Sequence, residues 1–120
     1  LSRLVYVAGP YSSDDSAQKR ANIEAAINVA IWCARNRIYY FCPHLNSAYF
    51  DDLAPDIPTE FYYQMDLAIL AKFDAVLLMK GWEYSKGASV EYNTAVTLGL
   101  RTFEYPVDCS LLLEWIRENK

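Results

Sequence analysis

The sequence predicts an open parallel α/β sheet of about four to five strands with helices on both faces, built as one domain over residues 1–120. Three observations predict it. Short runs of β-branched and aromatic residues alternate with longer stretches of helical periodicity, the pattern of strands joined by crossover helices. The run A-V-L-L-M at 75–79 is apolar without alternation, as for a parallel strand covered on both faces. A chain of 120 residues has room for one core, and no internal repeat, low-complexity tract or linker divides it.

Each element follows from local sequence. L-V-Y-V-A at 4–8 is a short β-branched and aromatic run ended by Gly-Pro, a buried strand. Ser12 to Ser16 offers several helix caps, and a long amphipathic helix should run to about Asn36 with Ala21, Ala25, Val29 and Trp32 at helical spacing. I-Y-Y-F-C at 38–42 is a second strand, stopped by Pro43. Residues 44–58, rich in Asp, Asn and Pro, read as an irregular loop. Thr59 or Glu60 opens another helix, with Phe61, Met65, Ala68 and Leu70 as core candidates, and the third strand at 75–79 follows. A helix then runs from near Ser85 to Leu98, with Gly99 as a left-handed stop. Residues 101–105 read as a fourth strand and 110–118 as a closing helix. The alternation is that of flavodoxin-like and Rossmann-like folds. In such sheets ligands sit beyond the carboxyl ends of the strands, which singles out the loops at 8–13, 43–58 and 81–87.

Composition narrows the function classes. The chain is 53% hydrophobic and 22% charged, which fits a globular protein, and its net charge of −4 argues against binding a nucleic-acid polymer or an anionic membrane. No apolar stretch is long enough to span a bilayer and no signal peptide is visible at the start given, so a cytoplasmic setting is expected. One histidine and three scattered cysteines, Cys33, Cys42 and Cys109, lack metal-ligand spacing and an even count, so neither a metal site nor a disulfide framework is expected. Ten tyrosines are many for this length and suit a subunit contact or a flat aromatic ligand.

The sharpest chemical feature is Glu91. On the helix beginning near Ser85 it shares one face with Ala88, Tyr92, Ala95 and Leu98, where no other charge falls. An unpaired carboxylate buried there costs roughly several kcal/mol, which the helix N-terminus offsets in part. The competing reading is a solvated rim residue or the partner of an arginine. Asp66 poses the same question beside Tyr62, Ile69 and Phe73, whereas Asp74 reads first as a turn residue. Two carboxyl groups at one sheet edge can serve as a nucleophile and a proton carrier. The first loop, A-G-P-Y-S-S, places hydroxyls and free N–H groups near a helix start, suited to a phosphate or a sugar hydroxyl. It lacks the glycines of a dinucleotide fingerprint and the lysine of a P-loop, so neither NAD nor ATP machinery is indicated. Tyr6, inside the first strand, needs a partner for its hydroxyl and could find one on Glu91. His44 could contact a base, or be polar surface.

Taken in order, Y-V-A-G-P-Y-S, C-P-H-L-N, D-L-A-I-L-A-K-F-D-A-V and G-W-E-Y-S-K-G-A-S-V-E resemble the nucleoside 2-deoxyribosyltransferase superfamily, near its small bacterial and phage members. Related branches are the 2'-deoxynucleoside 5'-phosphate N-hydrolases and the cytidylate N-hydrolases. The resemblance spans roughly residues 4–105. It implies that Glu91 is the nucleophile at the anomeric carbon, that Asp66 contacts the base and assists its departure, and that Tyr6 orients the nucleophile. It puts Gly9, Tyr11 and Ser12 in a loop around the sugar and phosphate, and adds His44, Trp82, Ser85 and Gly87 to the substrate-binding set. Ser85 falls where transferases tend to carry an aspartate for the sugar 5'-hydroxyl and nucleotide hydrolases a serine for the 5'-phosphate. A hydroxyl at a helix N-terminus suits a phosphate dianion that a carboxylate would repel. The G-W insertion and the acidic F-D-D-L-A-P-D loop depart from the pattern, as does the short C-terminal part.

The expectation is therefore an N-glycosidase acting on a nucleoside 5'-monophosphate through a covalent glycosyl-Glu91 intermediate, with no cofactor and no metal, as a homodimer or higher homo-oligomer. Three alternatives stand beside it: base exchange on free deoxynucleosides, a non-catalytic nucleotide-binding or sensor module, and cleavage of NAD, for which no feature recognises the second nucleotide.

Overall fold

A computed structural model describes residues 2–118. Four parallel strands form one sheet in the order β2-β1-β3-β4: β1 is Leu4–Ala8, β2 Tyr39–Phe41, β3 Ala75–Leu78 and β4 Arg101–Glu104. Register sets Val5 beside Ala75, Tyr6 beside both Phe41 and Val76, and Leu77 beside Phe103. This is a Rossmann-like and flavodoxin-like topology, with the four strands at the lower bound of the expected number.

Helices cover both faces because the strand side chains alternate. On one face Val5, Val7, Ala75, Leu77 and Phe103 meet helix α1 (Ser16–Arg35) and helix α6 (Cys109–Glu118) through Ala26, Val29, Cys33, Leu112 and Trp115. On the other face Tyr6, Ala8, Val76 and Leu78 meet α4 (Thr59–Leu70) and α5 (Lys86–Thr97) through Leu70 and Ala95. β3 is buried at every position, which is why its sequence shows no polar alternation. Asp15 caps α1 by accepting the Ala17 N–H at 2.9 Å, inside the expected cap region. Gly99 ends α5 at φ 77°, a left-handed turn that suits glycine. The Asp74 carboxylate accepts the Leu4 N–H at 2.7 Å and so ties the starts of β1 and β3, the structural role read for it first.

Several expectations are corrected. Of Ala21, Ala25, Val29 and Trp32, only Val29 is buried; the core stripe of α1 is Ile23, Ala26, Val29, Ala30 and Cys33. The alanine methyls at 21 and 25 bury too little area to set the rotation of the helix, and Ile23 sets it instead. On α4, Phe61 is exposed and only Leu70 is fully buried, because the N-terminal half of this helix borders a cleft rather than the sheet. Leu98, placed on the inward face of α5, is 50% exposed, since the helix ends before its last turn reaches the sheet. The supposed loop at 44–58 contains two one-turn helices, α2 (Pro43–Asn46) and α3 (Phe50–Leu53). Pro43 at the first helical position starts the former, a role for proline that was read only as a strand stop.

Leu77 lies at the centre of the larger layer with no exposed surface. Leu77→Ala should lower the unfolding free energy by about 3 kcal/mol in denaturant titration, while Leu98→Ala should change it by less than about 1 kcal/mol.

Candidate active site

Strand order reverses between β1 and β3, since the chain leaves β1 for β2 on one side and crosses to β3 on the other. Beyond the carboxyl ends of these two strands lies a cleft of about 1050 Å³. The loop after β1, the segment carrying α2 and α3, helix α4 and the start of α5 form its walls.

Glu91 and Asp66 both line this cleft. Glu91 is half-buried in the second turn of α5, and Tyr6, rising from β1 on the same side of the sheet, donates its hydroxyl to Glu91 Oε2. Burial pushes the Glu91 carboxyl up to about 7; the Tyr6 bond pulls it down, and the charge of Asp66 adds to the rise. Burial likewise raises Asp66, on α4, to about 6. Its Oδ1 is covered and has no hydrogen-bond partner among the described residues; the same holds for the hydroxyl of Tyr62, one turn earlier. Burial first, then the negative charge of Glu91, lifts Tyr6 far above the ordinary phenol range, so Tyr6 remains a donor. Glu91, at about 7, therefore holds a proton more tightly than Asp66, at about 6, even though the Tyr6 hydroxyl favours its ionised form.

The remaining candidates divide into cleft wall and scaffold. Gly9 is buried at the end of β1, where a Cβ would stand 2.7 Å from the Cβ of Met79, so only glycine lets the two strand ends approach. Ser12 lines the cleft and is exposed. Ser85 lines it too, capping α5 with its Oγ accepting the Ala88 N–H at 3.2 Å. Gly87 borders the cleft, and a Cβ there would meet only Tyr63, at 3.7 Å. Tyr11 presents its ring, since its hydroxyl donates to Asp51 Oδ1 at 2.9 Å and accepts the Tyr49 N–H at 2.9 Å. His44 lines the cleft, but its Nε2 lies 2.7 Å from the Pro10 carbonyl; burial lowers its pKa, so the neutral ring donates there. Its role is thus to fasten the first loop as well as to border the cleft. Trp82 departs from expectation: it stacks on Tyr92 at 4.5 Å, donates to Glu104 Oε1 at 3.2 Å and does not line the cleft. The inserted Gly-Trp turns its indole toward β4 rather than back over the site.

Sequence reasoning missed Lys80 and Lys86, exposed cations that line the cleft on either side of the Trp82–Tyr84 turn. Their bracketing of Ser85 is visible in K-G-W-E-Y-S-K, where the glutamate drew attention first. It also missed Lys19, buried on α1 and paired with Asp51 and Asp52 at 2.8 and 3.1 Å. No group of three or more His, Cys, Asp or Glu side chains among the described residues could hold a metal ion, and no described helix is long and apolar enough to cross a membrane.

A parallel sheet with paired carboxyl groups at its switch point defines the class of the molecule, and comparison with known proteins places it further. Residues 3–103 match the family described as "Domain of unknown function (DUF4406)", and the chain belongs to that family. No curated protein matches. Among solved structures, the chain resembles a 2-desoxiribosyltransferase from Leishmania mexicana with a TM-score of 0.58 and 17% sequence identity. The match covers 86% of this chain and 63% of that one, so this chain spans less than two thirds of that protein. That resemblance is one of fold.

The raised carboxyl of Glu91 has a consequence for stability. Its folded value of about 7 exceeds the ordinary 4.5, so the folded state holds this proton the more tightly. That contribution is present in full below pH 4.5 and is lost as pH rises through 7. Glu91→Gln, which removes the charge, should therefore unfold like wild type at pH 4 and be more stable at pH 8 by on the order of 2 kcal/mol, measured by denaturant titration at both pH values.

Proposed function

We propose that this protein opens the N-glycosidic bond of a nucleoside or nucleoside 5'-monophosphate by double displacement and passes the sugar to a second base. One observation carries the reading: a half-buried Glu91, held by the Tyr6 hydroxyl, shares a cleft with a second raised carboxyl, Asp66. In the first step a Glu91 carboxylate oxygen bonds to the anomeric carbon as the carbon–nitrogen bond breaks. The departing base takes the proton of Asp66. In the second step the ester oxygen leaves, the incoming base nitrogen bonds to the same carbon, and its proton goes to Asp66. Both carboxyl groups return to their starting states. The reactive form has Glu91 ionised and Asp66 protonated, and Tyr6 favours it by lowering Glu91 and aiming it. Neither step calls for a metal or organic cofactor. The fold shared with a structure titled as a 2-desoxiribosyltransferase supports transfer over hydrolysis.

A specific observation favours a second reading, hydrolysis of a nucleoside 5'-monophosphate. Ser85 caps α5 at the cleft wall, with Lys80 and Lys86 on either side, a setting that welcomes a 5'-phosphate. A binding or sensor module without turnover is the rival of another class. A cytoplasmic setting and assembly into a homodimer or larger homo-oligomer belong to the same reading, the latter supported by the exposed Tyr39 and Tyr40 on the edge strand β2.

Base release from a panel of ribo- and deoxyribonucleosides and their 5'-monophosphates, with and without an acceptor base, tests these readings. New nucleoside formed only with acceptor supports transfer, and free base from monophosphates alone supports the hydrolase. Tight binding with no release across the panel sinks both and leaves the sensor.

Two variants test the roles. Glu91→Ala should cut turnover by roughly a thousandfold or more while thermal unfolding stays cooperative. Tyr6→Phe removes the one interaction that lowers Glu91, so the alkaline limb of kcat/KM against pH, set by the higher of the two carboxyls, should move upward from about 7 while the maximum falls. An unmoved limb would show that Tyr6 does not tune the nucleophile.

A further inference from the structure

We propose that Lys19 is a positioning residue that decides the fate of the sugar held on Glu91: by fastening segment 43–57 as a wall of the cleft, it keeps water from the glycosyl ester and favours transfer over hydrolysis. The inference rests on the double-displacement reading above.

The segment contributes His44, Ser47, Phe50, Asp51, Pro55 and Ile57 to the cleft. Apolar packing does not hold its middle, because α3 has no buried residue and Leu53 is 77% exposed. Tyr49, which leads into α3, adopts φ 64°, a left-handed conformation rare for a tyrosine that needs support from its surroundings. Polar bonds provide that support. Lys19 reaches from α1 to Asp51 Oδ2 at 2.8 Å and Asp52 Oδ2 at 3.1 Å, and it is the one lysine or arginine buried among the described residues. The Tyr11 hydroxyl joins Asp51 Oδ1 to the Tyr49 N–H, and Asn22 on α1 holds the Tyr11 carbonyl at 3.1 Å. His44 closes the other end on the Pro10 carbonyl at 2.7 Å. Among the described residues, Lys19 alone supplies the positive charge that lets two adjacent aspartates sit together. Burial raises the Asp51 carboxyl, but the bonds from Lys19 and Tyr11 outweigh it and hold Asp51 below the usual range. Lys19 is held charged by the same bonds.

Lys19 touches neither Glu91 nor Asp66 in this network, so it acts through the wall. The glycosyl ester has two exits. An acceptor base nitrogen bonds to the anomeric carbon and gives its proton to Asp66, or water does the same and releases the free sugar; in both cases the ester oxygen departs as the Glu91 carboxylate. A loosened wall admits water and weakens the seat of the acceptor, and both effects move the partition toward hydrolysis. The product ratio is independent of the fraction of active enzyme, so a general loss of folded protein does not move it.

The test compares wild type, Lys19→Met, which keeps the apolar stem, and Lys19→Arg, which keeps the charge. The donor is a deoxynucleoside and the acceptor adenine at fixed concentration. Free sugar relative to exchanged nucleoside should rise roughly fivefold or more in Lys19→Met and stay near wild type in Lys19→Arg. Amide hydrogen exchange, which needs no substrate, should quicken over residues 47–57 in Lys19→Met and remain unchanged in β1 and β3. A wild type that exchanges bases, with an unchanged product ratio or unchanged exchange protection in Lys19→Met, overturns the wall inference alone. A wild type that releases no base from any donor removes the double-displacement reading, and the partition falls with it.

Discussion

The bond from the Tyr6 hydroxyl to the Glu91 carboxylate is the constraint around which the rest is arranged. Tyr6 belongs to the second strand position of the sheet and has no exposed surface, with Phe41 and Phe73 against its ring at 5.8 and 6.0 Å. Its hydroxyl must therefore find a partner inside the protein. Glu91 is that partner, and meeting it requires α5 to lie over β1 and β3 with its second turn above the carboxyl end of β1. The crossover from β3 and the tight approach of Gly9 to Met79 put the helix there. A buried phenol and a buried carboxyl are each costly alone, and together they satisfy one another.

Much of this was legible in the sequence because it depends on period and punctuation. The four strands, the long first helix and the stop at Gly99 follow from apolar runs and their breakers. The inward position of Glu91 follows from its lack of charged company on one helical face. What stayed illegible depends on rotation and on long-range partners. Ala21 and Ala25 have the right spacing for a core stripe, yet Ile23 and Cys33, with more area to bury, turned α1 the other way. Trp82 stands in the right turn, but Tyr92 and Glu104, ten and more residues away, decide where its indole goes. Lys19 is a plain helix lysine until Asp51 arrives from 32 residues further on.

The two faces of the sheet divide the labour. Among the described residues, the α1/α6 face gathers thirteen buried ones, including Phe103, Leu112 and Trp115, and Arg3 lies 4.3 Å from the Trp115 ring. The α4/α5 face gathers six, and the partly open side chains packed against them include the aromatics Tyr92 and Phe73 and the aliphatics Leu67, Ile69 and Leu100. Hydrophobic burial concentrated on the first face allows the second to hold ionisable groups in low dielectric, where their pKa values shift. Glu91 and Asp66 both lie on the second face. So do Tyr62 and the cleft-lining half of α4.

That division also explains why α3, in the cleft wall, is fastened by polar bonds and not by apolar burial. A wall packed as tightly as the first face would be as rigid as a core, leaving no passage for a ligand. A wall resting on Lys19, Tyr11 and His44 is fixed in position by a few directed bonds, each of which can open without disturbing the sheet. The same physics places the lysines at the rim: Lys80 and Lys86 stay hydrated, while the deep carboxyls give up hydration and gain basicity. An anionic ligand entering such a cleft would meet cations at the rim before raised carboxyls at depth.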